Sequence, residues 1–447
     1  MNKEEILAII KNDSVNIFGQ KALICNLQTM DIAELLKELN KEKIIQLFRI
    51  LPKAVASEVF ADMDSDHQQL IVEALTDMEI GEIMGKLFVD DAVDFIEEMP
   101  ATVVKRVLNN VQPAKRKLIN QILQYPDDSA GSIMTTEYIN LREDATVQEA
   151  FDSIRSTGLN KETIYTCYVI RKDHLLVGVI SAKRLMLANP TERIGDLMDT
   201  TIVFAYTTDD QETVASQFQK YDFLAMPVVD KEQRLVGIIT IDDILDVIVE
   251  EGTEDMEKMG ALAPSDDPYM KTSIVRLAKN RFLWLLVLML SATITAALIE
   301  GFEESLAVMP ILMAFIPMLM DTGGNSGCQS STLIIRGMAL GEIRLRDFLR
   351  VFWKEIRVGL LCGLALAAIN FGRIYVMNGQ NLLLSITVSL TLICTVLVAK
   401  TAGGLLPMLA KCLKIDPAMM AAPVITTVAD AASLIIYFGM ARAILGL

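Results

Sequence analysis

Asp430 lies inside Ala418 to Leu447, a run long enough to cross a bilayer that carries only one other charge, Arg442. A carboxylate near the centre of a membrane helix costs about 2.5–3.5 kcal/mol even on insertion scales. Such an acid faces a water-filled path or a bound cation, sits near the membrane surface, or pairs with a neighbouring helix. The run PVITTVAD places Thr426 four residues and Thr427 three residues before Asp430, so on a helix a hydroxyl and the carboxylate share a face. A second polar run, DTGGNSGCQSST over 321–332, interrupts another apolar stretch. Irregular backbone at membrane depth is tolerated only where protein or a water cavity covers it. The expectation is a break in that helix with Asn325 and Gln329 lining a pore, while its glycines serve equally well as a packing seam.

Carboxylate, hydroxyl and amide oxygens suit hard cations. The chain has two histidines, His67 and His174, so no imidazole cluster can hold zinc or iron. Six cysteines, Cys25, Cys167, Cys328, Cys362, Cys394 and Cys412, show no paired spacing and read as free thiols in a reducing cytoplasm. The N-terminus MNKEEILAII lacks the pattern of a secretory signal and is expected to stay cytoplasmic.

The 447 residues divide sharply by charge. Residues 1–270 hold 48 of 57 acids and 26 of 41 bases, a net of −22, whereas 271–447 come out at +6. So acidic a soluble part argues against nucleic acid as partner and for cations. Residues 3–125 carry apolar positions at helical spacing in IAELLKEL, KIIQLFRILP and DAVDFIEEMP, with turns at Pro52, Pro100 and Pro113. LFRILP and DFIEEMP hint at a stacked helical repeat. Asp90, Asp91 and Asp94 crowd one helical turn, and their repulsion calls for a base, water or a metal ion.

From Met134 a βαββα pattern occurs twice, with LVGVIS echoed by LVGIIT. It resembles a tandem cystathionine-β-synthase (CBS) module, which implies regulation, dimerisation and an adenine nucleotide such as ATP. Thr240 and Asp243 keep the T-x-x-D pattern that this resemblance assigns to ribose and phosphate; the first copy has Ser181 and Arg184 instead. Next comes DDILDVIVEEGTEDMEKMGA, dense in Asp242, Asp243, Asp246, Glu250, Glu251, Glu254, Asp255 and Glu257. At about 4 Å a like pair costs roughly 1 kcal/mol in water and several times more near a protein surface. Divalent cations would relieve that repulsion.

Five apolar stretches follow, near 282–300, 306–334, 355–377, 381–410 and 418–445. Lys271, Arg276, Lys279 and Arg281 precede the first, Arg336, Arg344, Arg346, Arg350, Lys354 and Arg357 surround the loop after the second, and Lys411 and Lys414 precede the fifth. The loops EGFEES and NGQN have neither lysine nor arginine. Positive charge inside puts the N-terminus in the cytoplasm and the C-terminus outside.

The segments YPDDSAG, KYDFLAMPVVD, GIITIDDILDVI, GTEDM, PMLMDTGGNSGCQSSTLIIRGMALGEI and DPAMMAAPVITTVAD, in this order, resemble the MgtE family of magnesium channels along essentially the whole chain. The fold class expected is a multidomain α and α+β integral membrane protein. It divides into an acidic helical N domain over 1–126, tandem CBS domains over 127–248, an acidic linking helix over 249–275 and a five-helix transmembrane pore domain over 276–447. The resemblance implies a homodimer in a bacterial-type inner membrane, with a pore between the subunits and Asp430 on Mg²⁺. It further implies cytosolic Mg²⁺ sensing by Asp91, Asp94, Asp210, Glu212, Asp222, Asp243, Asp246, Glu251, Glu254 and Asp255, with Asp416 opposite the linking helix. Departures from the family pattern are Ala421 and Ala422 before Pro423, and Cys328.

No P-loop of the form G-x-x-x-x-G-K-[ST] is present, and the histidine pair that a membrane metalloprotease needs is missing from the apolar part, so transport rather than catalysis is expected. An efflux exchanger and a non-transporting regulatory scaffold are the other classes this sequence could serve.

Overall fold

The computed structural model describes residues 3–11, 16–265, 269–377, 381–420 and 422–446, so Ala421 lies outside the described residues. The chain forms two compact units, Met1–Ile248 and Val249–Leu447.

The first unit opens with ten short helices, from α1 (Lys3–Lys11) to α10 (Pro113–Ile122). Their ends are written locally. Asn16, Asn40, Asp64 and Thr76 accept backbone N–H bonds at N-caps, Thr76 with Glu79 in a reciprocal capping box. Pro52 and Pro100 precede helices and Pro113 starts one, where a missing N–H costs nothing. The helices stack in alternation, α3 (Thr29–Lys37) on α5 (Lys53–Ala61), α5 on α7 (Asp77–Met84), and α7 on α9 (Ala101–Asn110). Edge-to-face contacts of Phe48, Phe60 and Phe95 run through the core, with α8 (Val89–Glu97) packed on α5 and α10.

The βαββα repeat follows as expected. The first copy holds β1 (Asn140–Arg142), α11 (Val147–Thr157), β2 (Thr166–Ile170), β3 (Leu176–Ser181) and α12 (Ala182–Leu187). After the short α13 (Ile194–Leu197), the second holds β4 (Ala205–Tyr206), α14 (Gln211–Tyr221), β5 (Ala225–Val229), β6 (Leu235–Thr240) and α15 (Ile241–Met259). In each copy the first strand pairs parallel and the last antiparallel to the middle one, with a bulge at Val169/Ile170 and again at Val228/Val229. The glycine of each LVG motif is required by a crossing segment. A Cβ on Gly237 would lie 2.6 Å from Met134 Sδ and 2.8 Å from Thr135 O, and one on Gly178 would strike Met198.

The expected linking helix over 249–275 is not a separate element. It is the continuation of α15, which ends at Met259, where Gly260 and a left-handed Ala261 (φ 55°) turn the chain.

In the second unit α16 (Ile274–Glu300), the short α17 (Glu303–Val308), α18 (Ile316–Ala339), α19 (Phe348–Met377), α20 (Leu382–Cys412) and α21 (Ala422–Leu445) succeed one another. Among the described residues four helical segments, over 274–300, 345–376, 382–412 and 417–445, are long and apolar enough to cross a membrane; α18 is too polar to qualify by composition. α20 is the hub, packing on α18, α19 and α21, while α18 and α16 also pack on α21.

The break expected at 321–332 is absent. α18 is helical throughout that run, and the irregular backbone falls earlier, in the 3₁₀ turn Pro310–Phe315. Gly323, Gly324, Ser326, Gly327, Ser330 and Ser331 are buried, so the small residues serve close packing. A Cβ on Gly403 of α20 would collide with the Gly327 backbone. A glycine in a helix interior costs about 1 kcal/mol relative to alanine, which contacts at that range can offset.

Candidate functional site

Three groups of carboxylates emerge, one in the first unit and two in the second.

In the first, Asp90 and Asp91 open α8 and face Asp242 and Asp243 at the start of α15, together with Glu162 from the loop after α11. Asp90 is 7 % exposed, and burial first, then Asp243, Asp91 and Glu162, drive its carboxyl well above the usual aspartate range. Burial likewise raises Asp91 to about 6 and Asp243 to about 6, although a backbone N–H bond from Phe88 and the charge of Lys115 oppose it for Asp91 and the Thr240 hydroxyl opposes it for Asp243. Glu162, half-buried and facing Asp243, Asp91, Asp242 and Glu137, is raised to about 8, and its Oε2 is buried without a hydrogen bond. Lys115 of α10 is the nearby base; its ammonium is bonded to the Leu87 carbonyl and acts on Glu137, Asp90 and Asp91. Sequence reasoning missed Glu162 and Lys115, which tertiary contact alone brings here.

Thr240 Oγ1 donates to Asp243 Oδ2 at 2.5 Å, so the T-x-x-D pair is closed on itself. Ser181 Oγ accepts from Arg184 N at 3.2 Å as the cap of α12. Asp94 and Asp246 are exposed on α8 and α15. Asp210 caps α14, accepting from Glu212 N at 3.0 Å, whereas Asp222 stands at the other end of that helix with φ 53°. Asp222 is twelve residues on from Asp210, about 18 Å at the helical rise, so the structure does not gather Asp210 and Glu212 with Asp222.

In the second unit, Lys258 bridges Glu254 Oε1 and Asp416 Oδ2, both at 2.7 Å. Burial opposes its charge, but these two bonds outweigh that and raise its pKa. Asp255 is raised by burial and by Asp416. Glu251 is partly buried on the same helix. Sequence reasoning placed Glu254, Asp255 and Asp416 together but overlooked the lysine among them. Among the described residues no three acid, histidine or cysteine side chains are already arranged to hold a metal ion. Binding one would require the carboxylates to close in.

The membrane helices carry the third group. Asp430 is half-buried on α21 and lies within electrostatic range of Asp321 on α18. Asp321, Asn325 and Gln329 are exposed at four-residue spacing along one edge of α18. Neither threonine donates to Asp430: Thr426 and Thr427 both bond the Pro423 carbonyl, at 2.9 and 3.0 Å. Thr426 faces Gly324, while Thr427 turns toward Ser291 of α16 at 3.4 Å. Cys328 Sγ approaches the Ala422 carbonyl at 3.8 Å. Two buried charges hold α18 from behind: Lys400 donates to Gln329 Oε1 at 3.3 Å, and Ser330 donates to Glu355 Oε2 at 2.6 Å. Asp321 had a sequence signal in its spacing from Asn325 and Gln329.

Residues 316–440 match the family model described as a divalent cation transporter, residues 27–128 the MgtE intracellular N domain, and residues 130–190 and 194–250 the CBS domain. The magnesium transporter MgtE of Thermus thermophilus is 37 % identical over 99 % of both chains, and that of Bacillus subtilis 31 % identical over 98 % of this chain and 96 % of its own. Two solved structures share the fold of the soluble part. The cytosolic domain of the Mg²⁺ channel MgtE in complex with ATP is 34 % identical, with TM-score 0.50, covering 52 % of this chain and 95 % of its own. The soluble part of a magnesium transporter is 28 % identical, with TM-score 0.52, covering 56 % and 99 %.

Proposed function

The chain belongs to the MgtE family of magnesium transporters, and from that membership we propose a Mg²⁺ uptake channel whose ion path passes Asp430 and whose cytosolic acids close it. The observation that carries this reading is Asp430, half-buried in a helix otherwise almost free of charge and within electrostatic range of Asp321 on α18. Mg²⁺ gives up its waters reluctantly, so carboxylate and amide oxygens can hold it through its hydration shell. A divalent cation crossing about 100 mV, inside negative, gains roughly 4.6 kcal/mol, and uptake needs no other energy source.

The domain limits 1–126, 127–248, 249–275 and 276–447 belong to this reading, with the linking segment helical only to Met259. So do the homodimer, the five crossings with α18 as the second, and the cytoplasmic N-terminus and external C-terminus in the inner membrane. Positive charge before α16, between α18 and α19, and before α21 supports that orientation.

Bound among the soluble acids, Mg²⁺ would neutralise like charges. Asp91 and Asp243 supply oxygens that face each other, and Glu254, Asp255 and Asp416 tie the end of α15 to the turn that leads into α21. Inverting a two-state equilibrium from 1:99 to 99:1 takes about 5.5 kcal/mol, within reach of several sites of about 1 kcal/mol each. Adenine nucleotide fits the CBS pair at its ribose end, where Asp243 already accepts a hydroxyl hydrogen bond from Thr240. The acids around Asp243 would admit its phosphates only together with a divalent cation.

Liposomes holding a Mg²⁺ dye test the pore assignment. Wild type is expected to admit Mg²⁺ and Asp430→Ala to lose that flux. A normally inserted Asp430→Ala protein with wild-type flux would remove Asp430 from the path.

A further inference from the structure

α18 has two unlike sides. Gly323, Gly324 and Gly327 are buried against α20 and α21, and a Cβ on Gly323 would lie 2.8 Å from Ser433 Oγ and 3.8 Å from Ala429 Cβ, the residues that bracket Asp430. Asp321 therefore stands about half a turn from the place where α18 touches the Asp430 region, on the exposed edge that continues through Asn325 and Gln329. Asn325 Nδ2 donates to Asp321 Oδ1 at 3.1 Å, which orients the carboxylate and leaves its other oxygen available.

Among the described residues neither Asp321 nor Asp430 forms an ion pair, and three basic groups within the membrane helices are engaged elsewhere: Lys400 on Gln329, Arg373 on Asn370, and Arg442 over the Phe302 ring. Two carboxylates that act on one another at membrane depth repel, and a divalent cation beside them would relieve that repulsion.

The geometry points to Asp321 as a second ion-path carboxylate, which with Asp430 sets the affinity for Mg²⁺ and the preference for divalent over monovalent cations. This inference rests on the Asp430 reading and extends it. A fixed charge attracts a divalent ion twice as strongly as a monovalent one at equal distance, so removing Asp321 weakens Mg²⁺ more than K⁺. Asn325 acts as a positioning residue through its hydrogen bond to Asp321.

The experiment uses the full chain in liposomes, with initial Mg²⁺ flux measured against external Mg²⁺ and in competition with K⁺. Asp321→Asn keeps shape and removes charge; the expected result is a rise of about tenfold in half-saturating Mg²⁺ and stronger inhibition by K⁺. Asp321→Glu, which keeps the charge, is expected to recover part of the Mg²⁺ affinity and K⁺ resistance that Asp321→Asn loses. Should Asp321→Asn fail to insert, Asp321→Ser makes the same comparison. An inserted neutral variant with wild-type half-saturation and K⁺ sensitivity overturns the inference. If Asp430→Ala is inactive while the neutral Asp321 variant is silent, the second carboxylate alone is wrong; if Asp430→Ala also transports normally, the path itself lies elsewhere.

Discussion

Asp243→Asn is expected to stabilise the metal-free protein and to weaken its response to Mg²⁺. Asp243 is moved from the ordinary 3.8 to about 6, chiefly by burial and then, against the Thr240 bond, by Asp242 and Asp91. At neutral pH that displacement corresponds to about 3 kcal/mol against the ionised native state. Asparagine removes the charge and keeps an acceptor for Thr240, and the weakening of the 2.5 Å charge-assisted bond is already contained in that displacement. The net gain is about 3 kcal/mol, or roughly 6–12 °C in melting temperature for a unit of this size. The sign follows from the raised pKa. Below 3.8 the group is protonated folded or unfolded, so the penalty is absent; it develops as pH rises from about 4 to 6 and is complete at 7.5. Thermal unfolding of the full chain in detergent, with EDTA or excess Mg²⁺, at pH 7.5 and pH 4.5, checks this. The variant should melt higher than wild type in EDTA at pH 7.5, gain less from Mg²⁺, and lose most of its advantage at pH 4.5. A lower melting temperature in EDTA, or an advantage that grows on acidification, would refute the reasoning.

Lys258 competes with any metal for the oxygens of Glu254 and Asp416, so Lys258→Met is expected to lower the cytosolic Mg²⁺ needed for half closure several-fold. Patch recording with stepped internal Mg²⁺ reads this, and an unchanged or raised midpoint contradicts it. Gly403→Ala puts a methyl into the Gly327 backbone and is expected to destabilise the membrane unit by about 1–3 kcal/mol. Gly372→Ala, whose Cβ has nothing within 4 Å, is the control, and equal melting of the two in detergent would deny α18–α20 contact its role.

What the sequence disclosed was whatever local chemistry decides. Prolines at 52, 100 and 113 and the caps at Asn40 and Thr76 mark helix ends because each acts within one turn. The LVG repeat disclosed the CBS register because a crossing segment leaves no room for a Cβ at Gly178 or Gly237. The run DTGGNSGCQSST misled because propensity counts glycine as a breaker, whereas neighbours on both sides turn the same glycines into the closest packing surface of the unit. Glu162, Lys115, Lys400 and Glu355 were invisible as site residues for another reason: their partners come from distant segments, and no spacing announces them, whereas Lys258 stands four residues after Glu254 and only its bond to Asp416 was hidden.

The acids of this chain differ in how their charge is met, and that difference separates structural from ionic roles. Glu254 and Asp416 share the ammonium of Lys258, so they are satisfied without any ion and a metal must displace a covalently tethered competitor. Asp91 has Lys115 near it, but Asp90, Glu162 and Asp243 outnumber that single base, so protons or divalent cations must complete the balance as pH and Mg²⁺ change. Among the described residues Asp321 and Asp430 form no ion pair, in the part of the molecule where charge is most costly. A path for cations needs attraction that is not already spent inside the protein, and of the three groups only this last one offers it.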